Sequence, residues 1–137
     1  MKLFIGIFLI AFALPTFSAD AGKPLVRASK AYLAEGVDAF IPALLKGSAL
    51  EGEKSVLTQS NSIRQIEAYL GSYQGFDIIH EKALTSKVRI VYYAMNYDKS
   101  AVFGVATYYK VGGEEVISNF NFHTEWQQIL PANVAFE

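Results

Sequence analysis

The chain contains no cysteine. Disulfides, zinc–thiolate sites, iron–sulfur clusters and thiol nucleophiles are thereby excluded. Histidine is almost as scarce: only His80 and His123 are present. They form neither a His-x-His nor an HExxH spacing, so no metal centre is expected. No GxSxG elbow and no GxxxxGK[ST] loop occurs, which removes the usual serine-hydrolase and phosphate-cradling signatures. A dominant charge is missing too. Twelve Lys+Arg stand against 13 Asp+Glu, for a net charge of −1. Without a basic run or stripe, nucleic acid and anionic membrane surfaces lack an electrostatic footprint. Small molecules or proteins are the expected partners, and no cofactor is implied.

What is present begins at the first residue. Met1-Lys2 carries one positive charge, and Leu3 to Leu14 is unbroken apolar sequence. Pro15 ends the run, and Thr16-Phe17-Ser18-Ala19-Asp20-Ala21 follows. A charged start, a 7–15-residue apolar centre and a small-residue exit compose a secretory signal peptide. The run is short of the ~20 residues that span a bilayer, so no stable membrane span is expected after cleavage. Residues 1–21 are read as the leader, cut after Ser18 or after Ala21, with small residues at −3 and −1 in both cases. A cut after Ala19 would place Phe17 at −3. The expected location is exported, periplasmic or secreted. The remaining length of about 115–120 residues fits one domain, 22–131, able to bury a core without disulfides. The tail 132–137 is expected to fray or to tuck Phe136 against a neighbour.

Past the leader the chain divides into a helical half and a strand half. Pro24 suits the first position of a helix running to Gly36, with Leu25, Ser29, Tyr32 and Leu33 near helical period. Asp38 is expected to cap a short second helix carrying Phe40, Ile41, Leu44 and Leu45 to Gly47. A third helix is expected from about Glu53 to Tyr73, with Val56, Ser60, Ile63, Ile66, Leu70 and Tyr73 on one face. Four β-rich segments follow: Phe76–Leu84, Val88–Tyr97, Ala101–Val111 and Glu115–Trp126. Their connections are too short for parallel crossovers, so an antiparallel meander is expected. Helices then meander give an α+β fold.

Neither central strand has a polar face. One face of Val88–Tyr97 reads Arg89, Val91, Tyr93, Met95, Tyr97; the other reads Val88, Ile90, Tyr92, Ala94, Asn96. The next strand alternates Phe103, Val105, Thr107, Tyr109 with Val102, Gly104, Ala106, Tyr108. A one-sided wet sheet would alternate more cleanly. Helices are expected on one face and a second subunit on the other, a homodimer. Tyr92, Tyr93, Tyr97, Tyr108 and Tyr109 either pack the sheet or line a surface for an apolar ligand.

Polar residues gather on the last strand. Asn119, Asn121, His123 and Glu125 point one way; Ser118, Phe120, Phe122, Thr124 and Trp126 point the other. The aromatic set is expected under the helices and the polar row outside, as a ladder at solvent or at an interface. A bulge would reverse these faces and bring His123 among the tyrosines, where it could exchange protons near neutral pH. Asp77 and His80, three apart, should face opposite sides and cannot act together unless the strand is bulged, and His80-Glu81-Lys82 reads as an exposed edge.

The helical opening Ala31–Phe40, the long third helix and the strand Ile117-Ser118-Asn119-Phe120-Asn121-Phe122-His123 together resemble the NTF2-like superfamily, over nearly all of the chain past the leader. The texture is similar to its small exported bacterial members without assigned activity. The resemblance implies a cone holding a small apolar ligand and dimerisation through the outer sheet face. It also admits cofactor-free isomerase and hydrolase types, with Asp, Tyr or Arg inside the cone; no catalytic residue of these carries over to a matching motif here. The expectation is a non-enzymatic exported domain that binds a small hydrophobic ligand or an envelope protein. Tyr92, Tyr93, Tyr108, Tyr109, Phe120, Phe122 and Trp126 are the candidate ligand contacts. The alternatives are a lyase, isomerase or hydrolase using His123 or a carboxylate, and an interaction protein with a filled core.

Overall fold

A computed structural model describes residues 23–136; the expected leader and its cleavage points lie outside them. The first helix, α1, spans Pro24–Glu35. Proline at its start lacks an N–H that would have no partner there. Gly36, at φ 102°, ends it and returns its N–H to Tyr32 O. Leu25, Ala28, Ser29 and Tyr32 form its buried face. A 3-10 turn, Val37–Ala39, leads into α2, Phe40–Leu45. Asp38 does not cap α2. Its carboxylate instead accepts from Arg64 Nε of the third helix at 3.1 Å. Arg27 of α1 donates to Ala43 O at 2.6 Å, tying α1 to α2.

The third helix, α3, spans Ser55–Leu70 and stops short of the expected end. Gly71 adopts φ 92°, and a side chain there would meet Asp98 at 2.7 Å. Asp98 belongs to a hairpin turn docked on this helix end, where its carboxylate accepts from Ser72 N at 2.8 Å. Tyr73 therefore opens a strand rather than closing the helix.

The strands are β1 (Tyr73–Ala83), β2 (Val88–Tyr97), β3 (Ala101–Val111) and β4 (Glu114–His123). They pair antiparallel in the order β1-β2-β3-β4, a curved sheet preceded by helices and hence α+β. Gly112, at φ 63°, supplies the left-handed residue of the two-residue β3–β4 turn. Strand β4 ends at His123, so Trp126 lies outside the sheet in a 3-10 turn, Trp126–Gln128. A single helical turn, α4 (Ala132–Ala135), follows, and Phe136 meets Trp126 edge-on at 5.8 Å.

Register breaks at three places leave Gln74, Ile79 and Ser118 without a partner. Each bulge flips the alternation beyond it. Tyr73 and Phe76 consequently share the helix-covered face, as do Ile117, Phe120 and Phe122. That inner face carries Val91, Tyr93, Met95 and Tyr97 of β2, and Val102, Gly104, Ala106 and Tyr108 of β3. It packs with Leu25, Phe40, Ile41, Leu44, Leu45 and Ile63 into one core. Among the described residues, no helix is long and apolar enough to cross a membrane.

Candidate functional site

Five phenols fill the inner face: Tyr32 from α1, Tyr73 from β1, Tyr93 and Tyr97 from β2, and Tyr108 from β3. Tyr32 and Tyr73 stack at 4.1 Å between ring centres. Tyr73 shares a 2.7 Å hydrogen bond with Ser29. Tyr32 donates to Glu67, and its hydroxyl lies 3.3 Å from that of Tyr97. The Tyr108 hydroxyl accepts from Leu25 N at 3.2 Å, fixing the start of α1 to the sheet. Tyr93 lies deepest. Its ring occupies the space over Gly104, where a Cβ would fall 2.1 Å from Cζ. Its hydroxyl has no hydrogen-bond partner among the described residues.

Burial governs how these groups ionise. Desolvation pushes Tyr73 and Tyr97 up to about 12. Tyr93 and Tyr108 are held further above their usual range, again first by burial. Tyr32 rises too, through burial and then its hydrogen bonds to Glu67 and Tyr97. All five are neutral hydroxyls at ordinary pH, poor proton donors but good hydrogen-bonding walls.

At one end this face opens. A pocket of about 350 Å³ is lined by Lys23, Leu25 and Val26 of the α1 start, Phe76, Ile78 and Glu81 of β1, and Tyr108. Ile78, on the inner face opposite Tyr93, is 45 % exposed. Behind the pocket Arg89 lies over the Tyr108 ring, its guanidinium 4.8 Å from the ring centre. It is clamped by Glu115 through two bonds, at 3.0 and 2.8 Å, and by Glu81 at 3.0 Å. Burial opposes the charge of Arg89, yet these carboxylates carry its pKa above the ordinary value.

The expected contacts separate. Tyr93, Tyr108, Phe120 and Phe122 are on the inner face; Tyr92 and Tyr109 are on the outer one. Trp126 is with neither: the strand ends before it, so alternation counted to that position does not apply. Ser118 and Thr124 are exposed rather than packed under the helices. The bulge at Ser118 precedes the polar row, so Asn119, Asn121 and His123 stay outside, opposite Thr107, Val105 and Phe103. His123 Nδ1 accepts from Glu125 N at 2.9 Å. Correcting the expectation of opposite sides, the bulge at Ile79 brings Asp77 and His80 to the same outer face, opposite Ala94 and Tyr92. Asp77 accepts from Asn96 Nδ2 at 2.8 Å. Among the described residues, no group of three or more His, Asp or Glu could hold a metal ion.

Sequence reasoning missed the Arg89 clamp and Lys23. The signal for Arg89 was a lone cation in the row Val91, Tyr93, Met95, Tyr97. No protein-family model, curated protein or solved structure matches this chain significantly.

Proposed function

We propose that the protein is an exported, non-enzymatic NTF2-like binding domain that takes a small, largely apolar ligand at the open end of its inner face. The observation carrying this reading is the pocket walled by Leu25, Val26, Phe76 and Ile78, with Tyr108 and Glu81 as polar contacts. Its volume of about 350 Å³ falls at the small end of the ~300–1,000 Å³ typical of ligand sites. An enzyme reading needs a titratable group beside a reacting atom. His123 and His80 lie on the other side of the sheet, and the buried tyrosines hold their protons.

The outer face supports homodimerisation. Its centre is Ile90, Tyr92, Ala94, Phe103 and Val105; its edges are Asp77, His80, Asn119, Asn121 and His123. An apolar centre inside a polar rim is the composition of an interface.

Native mass spectrometry of the protein purified from its exported compartment tests both statements. The expected result is a dimer with reproducible extra mass. An empty species would favour an interaction protein with a filled core.

A further inference from the structure

We infer that the ligand is an anionic amphiphile with one apolar chain and a carboxylate-like head, the chain lying in the pocket above and the head in a second hollow beside it. The inference rests on the binding reading of that pocket. The second hollow, about 240 Å³, is lined by Lys23, Lys87, Arg89 and Lys110, with Thr85 and Glu115 among its other walls. Lys23 lines both hollows. Arg89 of the second is bonded to Glu81 of the first, so the two adjoin.

Charge decides which head group fits. Lys87, Arg89 and Lys110 converge there with one carboxylate, Glu115, and both it and Glu81 of the adjoining pocket are committed to Arg89. Glu115, the cross-strand neighbour of Lys110, gives both its oxygens to that guanidinium. Lys87, the residue before β2, is joined to Lys110 of β3 through the backbone, where Lys110 N donates to Lys87 O at 2.9 Å, and both line the hollow. Neither makes an ion pair among the described residues. An anion held at the hollow has both ammonium groups within its walls to offset its charge. The rim is already ordered: Thr85 Oγ1 accepts from Lys87 N at 3.1 Å and from Val88 N at 3.0 Å. A head bound there leaves its chain directed past Tyr108 toward Phe76 and Ile78.

The test is calorimetric titration with dodecanoate and with dodecanol at low salt, on wild type and on the double variant Lys87→Ala/Lys110→Ala. Both substitutions are at exposed positions, and an unchanged melting curve will show that the fold is kept. Dodecanoate should bind wild type more tightly than dodecanol. The double variant should lose roughly five- to tenfold in dodecanoate affinity, as expected for two exposed charge contacts, with dodecanol unaffected. Equal affinity for the two probes, or an unchanged variant, overturns the head-group assignment and leaves the apolar pocket standing. Binding of neither probe overturns the pocket reading itself. Sedimentation with phosphatidylglycerol vesicles that depends on the same lysines would place the anion on a bilayer and overturn the free-ligand assignment.

Discussion

The two faces of β2 are nearly equal in apolar content, yet they end in different surroundings. Val91, Tyr93, Met95 and Tyr97 are sealed beneath the helices, at 0–6 % exposure. Ile90, Tyr92, Ala94 and Asn96, one residue out of step, keep part of their surface open. The difference originates in the neighbouring strands. On the inner side Gly104 makes room for Tyr93, and the edge strands add Phe76, Phe120 and Phe122. On the outer side the same edges contribute Asp77, His80, Asn119, Asn121 and His123. Apolar content does not choose the core; the fit of the flanking side chains does.

Alkaline pH should break the inner face with the largest effect. Its tyrosines ionise near 10 when unfolded, but only at about 12 or above when folded. Their contribution to stability is therefore complete below pH 10 and is lost as pH rises through 10 to 12. Circular dichroism and tyrosinate absorbance should change together in that window. Early absorbance change at all tyrosines, with the fold intact, would contradict sealed burial.

A smaller break comes from Gly104→Ala. The new Cβ would collide with the Tyr93 ring, and overpacking of this kind costs about 1–3 kcal/mol, readable by urea unfolding. A truncation on the half-buried outer face, Val105→Ala, should cost less than Gly104→Ala in the monomer.

The smallest effect sharpens the picture. Tyr93→Phe removes a buried hydroxyl without a partner, so stability should hold or rise by about 1 kcal/mol. A clear loss would show that this hydroxyl has a stabilising partner.

Much of this fold was legible in the sequence. Period and turn chemistry located α1, α3 and the four strands, because Pro24, Gly36, Gly71 and Gly112 punctuate them. Three bulges hid faces in β1 and at Ser118, while those of β2, β3 and the end of β4 followed plain alternation. Alternation carries no mark at Gln74, Ile79 or Ser118, since a bulge is settled by which side chains the core accepts. Strict alternation sets Asp77 apart from His80, and the three- and four-residue spacing that ends on Tyr73 reads as helix past the real stop at Gly71. The end of β4 was misjudged for a related reason: Trp126 is aromatic enough to continue a strand, but its ring packs on Phe136 instead. The site at the open end was the least legible part. Lys23, Glu81 and Arg89 come from three elements, and no sequence spacing unites them.

The most direct test of a division of labour between the faces is native mass spectrometry on two variants. Ile78→Glu puts a charge into the pocket on the inner face, and Tyr92→Lys puts one into the centre of the outer face. The account predicts that Ile78→Glu loses the retained mass and stays dimeric. Tyr92→Lys should become monomeric and keep its ligand. A dimer unaffected by Tyr92→Lys, or ligand retention unaffected by Ile78→Glu, would contradict it.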